Sequence, residues 1–270
     1  MATRRLVLKL ASLGSMLAAA LAPRRAAAQA AEPRTYVLMH GAWHGGWCWR
    51  KVADRLRDQG HRVFTPTFTG LGERRHLIGH PDISLDLFIR DVINVIEAEE
   101  LKDVCLVGHS FAGPIVSGVA DRIPKRLKRI VFLDAVILQN GNTFLDTVAP
   151  ELREAALRRI QEIDGVRTLP PPPNAAAFGV TDPEAAAWVE RRLTPQPADA
   201  YTTPLQLAHP LGNGLPVTYV RCIEPIYHGM DASGAYAKAQ GSWQYVELET
   251  GHDAMVTAPD RLSGMLVGLG

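Results

Sequence analysis

The chain is poor in cysteine and lacks the residue clusters that bind metals or nucleotides. Its 270 residues include three cysteines, Cys48, Cys105 and Cys222, and an odd number cannot make a complete disulfide framework, so we expect free thiols. No glycine-rich loop ends in the lysine that phosphate binding requires. His40 and His44 bracket a glycine-rich segment without a supporting acidic ligand, which is not a metal-binding arrangement. The sequence therefore predicts neither a metal nor a cofactor.

Residues 1–31 have the pattern of an export signal and are set apart from the fold. Arg4 and Arg5 give a charged start. The apolar stretch from Leu10 to Ala22 is too short to span a bilayer, and Ala26-Ala27-Ala28 fits a small-residue cleavage site. The paired arginines indicate twin-arginine export, which predicts a periplasmic or secreted protein. An uncleaved amphipathic anchor is the alternative.

Removing the signal changes the charge of the chain. The formal net charge falls by five, from +1 to −4, because the signal holds no acid and five basic residues, namely Arg4, Arg5, Lys9, Arg24 and Arg25. A mildly acidic protein lacks the basic surface that nucleic acid requires, and we expect no stable membrane partner after cleavage. Residues 32–270 are enough for a single α/β domain with its own core.

Apolar runs alternate with helical patterns along the rest of the chain, which is typical of a parallel sheet with crossover helices. Strands are predicted at Tyr36–Met39, Arg62–Thr65, Val104–Val107, Ile130–Leu133, Val217–Arg221 and Tyr245–Leu248. Helices are predicted at Trp49–Gln59, Ser84–Glu99 and Pro114–Ile123, with Ser84 as an N-cap.

The alternation stops between about residues 138 and 215, where helical stretches and the proline run Leu169-Pro170-Pro171-Pro172-Pro173 replace strands. An insertion at this point would lie over the carboxyl ends of the sheet, where open α/β folds bind ligands. We therefore predict a helical cap over an apolar pocket, with Trp43 and Trp188 among the residues that line it.

The segment Gly108-His109-Ser110-Phe111-Ala112-Gly113 directly follows the run Val104–Val107. Small residues at 108 and 112 allow a tight turn between strand and helix, which exposes the serine oxygen and directs the helix N-terminus toward it. The pattern has alanine where G-x-S-x-G has its last glycine, and alanine is still small enough. Ser110 is therefore predicted as a nucleophile.

Two further segments supply partners for this serine. The glycine-rich run His40-Gly41-Ala42-Trp43-His44-Gly45-Gly46-Trp47 follows a strand and can present an N–H to an oxyanion, so Ala42 and Phe111 are the predicted donors. His252, in a loop after the last predicted strand, is the predicted general base. We expect structural roles for His40, His44 and His109.

These segments occur in the chain order of the α/β-hydrolase superfamily, which the chain resembles from about Arg34 onward. More narrowly, it resembles the branch of plant methylesterases, hydroxynitrile lyases and bacterial carboxylesterases of the pyrethroid-hydrolase type. That resemblance is carried by the run 40–47, by Thr69-Gly70-Leu71-Gly72-Glu73-Arg74, by Gly108-His109-Ser110 and by Gly251-His252-Asp253-Ala254-Met255. The lyases of the branch carry threonine at the place of Gly41 and lysine at the place of Asp253. The resemblance thus implies ester hydrolysis.

Two carboxylates compete for the place beside His252, because an acid must hold the imidazole in one tautomer. Glu224 lies 28 residues before His252, a separation similar to that between acid and base in the branch, where aspartate is the commoner acid. Asp134 ends the next strand after the serine, a position that enzymes resembling dehalogenases use. We favour Glu224 and leave Asp134 open, with Asp231 and Asp253 as weaker alternatives.

The resulting expectation is a serine carboxylesterase that hydrolyses small hydrophobic esters through an acyl-enzyme. Two other classes stay open. One is a lyase or a cofactor-free oxygenase on the same fold, and the other is a protein that binds ligands in the pocket and hydrolyses little, because fold alone does not define function.

Overall fold

The computed structural model of the protein describes residues 32–148, 150–163 and 165–269. The predicted export signal, residues 1–31, lies outside them. Within these ranges, no helix combines the length and the hydropathy needed to cross a membrane. All three cysteines are buried and unpaired, as expected.

The described residues contain a main sheet and a smaller one. Their strands are β1 (Thr35–Met39), β2 (Arg62–Phe64), β3 (Val104–His109), β4 (Leu127–Leu133), β5 (Gln161–Ile163), β6 (Val166–Leu169), β7 (Gln196–Pro197), β8 (Val217–Cys222) and β9 (Gln244–Leu248). The main sheet is parallel throughout, in the spatial order β2-β1-β3-β4-β8-β9. The six strands predicted from the sequence are these six, and their ends agree to within three residues.

Helices connect the strands of the main sheet, and short 3-10 turns lie between them. The helices are α1 (Arg50–Asp58), α2 (Leu85–Ala98), α3 (Gly113–Arg122), α4 (Pro150–Arg158), α5 (Pro183–Glu190), α6 (Asp199–Thr202), α7 (Asp231–Ala239), α8 (Ala254–Thr257) and α9 (Pro259–Gly268). Helix α2 begins where it was predicted to begin, because the Ser84 hydroxyl accepts a hydrogen bond of 3.2 Å from the Leu87 N–H.

Both faces of the main sheet are covered, because successive side chains of a strand point to opposite sides. On β1, Val37 and Met39 join the hydrophobic cluster that includes residues of α2 and α3. Tyr36 and Leu38 join the cluster that includes residues of α1 and α9. All four are fully buried, which explains why the strands of a parallel sheet are continuous apolar runs.

The predicted insertion, residues 138–215, is called the cap below. It contains α4, α5 and α6, and it also contains the antiparallel sheet β5-β6-β7, which differs from the purely helical cap that the sequence predicts. Strand β6 ends at Leu169 because Pro170 follows, and proline lacks the N–H that a ladder needs. Strands of two to four residues are too short to produce a readable alternation.

Candidate active site

Three side chains from separate loops form one hydrogen-bonded row at the carboxyl edge of the main sheet. His252 Nε2 lies 2.9 Å from Ser110 Oγ, and His252 Nδ1 lies 2.7 Å from Asp134 Oδ2. Ser110 follows β3, Asp134 follows β4, and His252 follows β9. His252 and Asp134 are buried, whereas Ser110 is half-buried. In such a row the imidazole can take the hydroxyl proton while the carboxylate holds its tautomer.

The turn at Ser110 is strained and needs glycine on both sides. Ser110 has a φ of +54°, in the left-handed region that non-glycine residues rarely adopt. A Cβ at position 108 would lie 2.4 Å from Val116 Cγ2, and one at position 113 would lie 1.8 Å from the Val136 carbonyl oxygen. Gly108 and Gly113 therefore permit the close contact between strand and helix that exposes the serine.

The two candidate acids have different surroundings. Asp134 has a φ of +41°, and its fully buried carboxylate bonds to His252. Glu224 is exposed, and its backbone N–H donates to the Thr250 carbonyl at 3.1 Å. This backbone contact fixes Glu224 beside residues 249–253, the loop that contains His252 and is called the base loop below, and its side chain is in solvent. The geometry brings Asp134 to His252 and leaves Glu224, which the sequence favoured, away from it.

The two weaker candidates bind other cations. Asp231 Oδ1 accepts a hydrogen bond of 2.5 Å from Arg221, and Asp253 Oδ2 lies 3.1 Å from His44 Nε2. Arg221 also donates to Asp134 Oδ1 at 2.6 Å, and the Cys222 N–H approaches the same oxygen at 3.3 Å. Each oxygen of Asp134 is therefore engaged, one with His252 and the other with these two donors.

His40 orients the peptide group that contains the Ala42 N–H. His40 Nδ1 lies 2.8 Å from the Gly41 carbonyl oxygen, and His40 Nε2 accepts from the Phe68 N–H at 3.2 Å. The ring is thus neutral with its proton on Nδ1, and burial lowers the pKa of His40 to about 3. Because the peptide is planar and trans, fixing the Gly41 carbonyl also fixes the Ala42 N–H on the opposite side.

The Ala42 N–H has the properties of an oxyanion donor. Among the described residues it donates no hydrogen bond, and Ala42 lines both of the cavities that contain Ser110. Phe111, the other predicted donor, is fully buried at the second position of the turn that Ser110 begins, where an N–H has no partner within the turn. Both predicted donors thus flank the serine.

His44 and Asp253 form a buried pair that links two functional loops. His44 Nδ1 lies 2.7 Å from the Ala42 carbonyl oxygen, and His44 Nε2 faces Asp253. Burial alone would lower the pKa of His44, but the Asp253 carboxylate raises it and the net shift is upward. Burial likewise opposes ionisation of Asp253, yet His44 holds the pKa of that carboxyl below its usual value. A charged pair therefore joins the loop of Ala42 to the loop of His252.

His109 is hydrogen-bonded to the backbone of the base loop. Its Nε2 lies 3.0 Å from the His252 carbonyl oxygen. Burial lowers the pKa of His109 well below its ordinary value, so the ring is neutral and donates this hydrogen bond. The contacts of His40, His44 and His109 fit the structural roles expected for them.

Two cavities meet at Ser110. The larger, of about 170 Å³, is mainly apolar, and five aromatic side chains contribute to its wall. The smaller, of about 10 Å³, is lined by His252 and Phe178, and Trp43 borders both cavities. His252 does not line the larger cavity. Besides Trp43, the aromatic residues of the larger cavity are Phe111, Phe144, Tyr201 and Tyr227.

The two tryptophans predicted for the pocket lie in different places. Trp43 borders the cavities at Ser110. The ring of Trp188 packs edge-on against that of Trp47, with the ring centroids 5.0 Å apart, and the Arg192 guanidinium carbon lies 4.9 Å from the Trp188 ring centroid. Trp188 lines neither of the two cavities at Ser110, so its prediction as a pocket residue is not supported.

Gly41 has no room for a side chain. A Cβ at this position would lie 2.9 Å from Ser110 Cβ and 3.0 Å from His109 Nδ1. A threonine here, which lyases of the resembling branch carry, would therefore displace Ser110 or the run 40–47. The site is shaped for a glycine.

Three comparisons with known proteins agree with the fold. Residues 36–264 match the model of the alpha/beta hydrolase family. A carbendazim hydrolyzing esterase from Nocardioides sp. (strain SG-4G) is 40% identical over 246 residues, which cover 87% of this chain and 99% of that protein. The putative chloroplastic methylesterase 11 of Arabidopsis thaliana is 30% identical over 133 residues, 49% of this chain and 34% of that protein. A solved pyrethroid hydrolase has a TM-score of 0.70 at 22% identity, covering 87% of this chain and 97% of that one.

The chain belongs to the alpha/beta hydrolase family. Its match to an esterase runs over nearly the whole of both chains, and the structural likeness to the pyrethroid hydrolase shows the same fold. The protein is a carboxylic ester hydrolase of the branch that the sequence resembles.

Proposed function

We propose that the protein is a serine carboxylesterase that cleaves methyl and similarly small alkyl esters of flat, apolar acids through an acyl-enzyme. The observation that carries this proposal is the unbroken row of hydrogen bonds from Ser110 through His252 to Asp134. The names of the esterase and methylesterase relatives agree with it.

In this mechanism Ser110 Oγ attacks the ester carbonyl as its proton moves to His252 Nε2, and Asp134 stabilises the imidazolium. The N–H groups of Ala42 and Phe111 bind the oxyanion. The carbon–oxygen bond to the alcohol then breaks, and His252 donates its proton to the leaving oxygen. A water repeats these steps on the acyl-enzyme and releases the acid.

The two cavities suggest how the ester lies. The leaving oxygen must approach His252 Nε2 to receive its proton, and of the two cavities only the smaller is lined by His252. A volume near 10 Å³ has room for one group of about the size of a water molecule or a methyl group, so it suits a one-carbon alcohol. The larger, aromatic-walled cavity of about 170 Å³ then holds the acyl group, and cavities of roughly 150 Å³ accept benzene.

Rates on esters of one aromatic acid with alcohols of increasing size test this assignment. We expect kcat/KM for the methyl ester to exceed that for the isobutyl ester, whose primary alcohol gives it a similar intrinsic reactivity, by about 100-fold or more, because the three extra carbons do not fit the small cavity. As a control, the methyl ester of an aryl acid is compared with the methyl ester of an aliphatic acid of similar reactivity. This pair changes the acyl group and keeps the alcohol the same. Equal rates for both alcohols would contradict the orientation. Binding of apolar ligands with no turnover of any ester would favour the ligand-binding alternative instead.

We further propose that the chain is exported by the twin-arginine route to the periplasm or beyond. The paired Arg4 and Arg5 and the small-residue run at 26–28 support this. Fractionation of cells that express the full chain should find a shortened protein outside the cytoplasm. Replacing both arginines by lysine, which keeps the charge, should leave the full-length chain inside. Export that is indifferent to this change would contradict the route.

A further inference from the structure

Trp43, the residue after Ala42, is held by the cap at its backbone and at its indole. Its N–H donates to Gln196 Oε1 at 3.1 Å, and its carbonyl accepts from the Thr194 N–H at 2.9 Å. The indole N–H donates to the Leu169 carbonyl at 3.0 Å. Gln196 and Leu169 are paired on adjacent strands of the small cap sheet. One residue pair of that sheet therefore binds both the backbone N–H and the indole N–H of Trp43.

These bonds hold Trp43 in a conformation that it would not adopt freely. Its φ is +63°, a left-handed value that is unfavourable for a bulky residue and persists only where the surroundings impose it. Here the surroundings are cap residues, and the core of the sheet makes none of the three hydrogen bonds just described.

The same contacts complete the fixation of two consecutive peptide groups. In the peptide between Ala42 and Trp43, the carbonyl is bound by His44 and the N–H by Gln196. In the peptide before it, the carbonyl is bound by His40. Of the four polar groups in these two peptides, the Ala42 N–H is the one that donates no hydrogen bond within the described residues. That group is the proposed oxyanion donor.

Packing and stability do not account for a glutamine at position 196. The side chain is fully buried, and within the described part of the chain its Nε2 has no hydrogen-bond partner. A buried amide that is half unsatisfied lowers stability relative to an apolar side chain of the same shape. Among the described residues, the one hydrogen bond that its carboxamide makes is the bond to the Trp43 N–H.

We propose that Gln196 is a positioning residue for the oxyanion hole, through which the cap sets the direction of the Ala42 N–H. The residue does not touch the ester and acts through the backbone of Trp43. The inference rests on the proposed serine-esterase function. It makes the cap a part of the catalytic assembly as well as the wall of a pocket.

Gln196→Met tests the proposal, because methionine keeps the length of the side chain and removes the acceptor. We expect kcat on a methyl ester to fall by about 10- to 100-fold with KM changed less than about threefold, since a small misplacement of an oxyanion donor is costly in the transition state. The affinity for an aryl trifluoromethyl ketone, which adds to the serine as an oxyanion, should fall in parallel. The affinity for the carboxylic acid product should stay the same.

Two variants separate positioning from simple loss of cap stability. Gln196→Glu keeps an acceptor oxygen at the same place and should recover most of kcat. Thr168→Val removes the hydrogen bond from Thr168 Oγ1 to the Gln161 carbonyl, elsewhere in the cap sheet, and should lower the melting temperature without lowering kcat. If Gln196→Met does not fold, Gln196→Asn, which withdraws the amide by one methylene, should show the same parallel losses.

The outcomes are distinct. A Gln196→Met enzyme with unchanged kcat, or with only a raised KM, would overturn the positioning role while leaving the esterase mechanism in place. A Thr168→Val enzyme that loses kcat equally would do the same. A wild-type protein that neither turns over esters nor binds the trifluoromethyl ketone would overturn the proposed function and the inference together.

Discussion

Ser110→Ala should lower kcat on a methyl aryl ester by about 10⁵- to 10⁶-fold, because loss of the nucleophile removes the covalent route and leaves only the oxyanion hole and substrate binding. The product acid should still bind, since the hydroxyl contributes little to the apolar wall of the larger cavity. The measurement is single-turnover release of acid by wild type and variant, with mass spectrometry to detect an acyl-enzyme on the wild type alone.

Ser117→Ala is a matched control for that experiment. Ser117 is a buried serine on α3 whose hydroxyl donates to the Gly113 carbonyl at 3.2 Å. Its loss removes one hydrogen bond within a helix, and we expect kcat to change less than about twofold. A Ser110→Ala protein that keeps more than a few per cent of the wild-type rate would show that another residue is the nucleophile.

Asp134→Asn should lower kcat by about 10⁴-fold, the effect expected when the acid beside the base becomes an amide. The surroundings make this substitution informative. Arg221 and the Cys222 N–H both donate to Asp134 Oδ1, so an asparagine must direct its oxygen at them and its NH₂ at His252. The imidazole would then have to accept at Nδ1 and carry its proton on Nε2, where it cannot take the proton of Ser110.

Glu224→Gln is the corresponding control for the acid. Glu224 is exposed, and the two ring nitrogens of His252 face Asp134 and Ser110, so we expect kcat within about twofold of wild type. Both variants are compared by kcat at one pH and by melting temperature, to separate chemistry from folding. A large loss in Glu224→Gln with a small one in Asp134→Asn would return the acid to the position that the sequence favoured.

The six main strands, the cap position and the serine turn were predictable because each depends on local pattern. Buried parallel strands are apolar runs, and Ser110 stands between glycines that the turn requires. His252 could be found because it follows the last such run. These features are set by residues that are neighbours in the chain.

The acid and the cap contacts were not predictable because they depend on how distant segments meet. Asp134 and Glu224 each follow a strand that ends at the same edge, and the turn at Asp134, with its φ of +41°, decides which carboxylate reaches the base. Trp188 was predicted to line the pocket because it is aromatic, but its ring packs against that of Trp47. The residues next to Gln196 in the sequence give no indication of its contact with Trp43, because the two residues are 153 positions apart.

The cap also makes close backbone contacts with the base loop, and these contacts restrict how far the cap can move from the sheet. The Phe178 carbonyl accepts from the Asp253 N–H at 3.0 Å, and Gly179 and Gly251 cross so closely that a Cβ on either would lie less than 3 Å from the other's Cα. Together with the hydrogen bonds at Trp43, these contacts connect the cap to the loop of Ala42 and to the loop of His252. Swinging the cap open as a rigid lid would disassemble the site at every turnover. The exposed Leu157 of α4 borders the larger cavity, so this edge of the cap lies between the cavity and solvent.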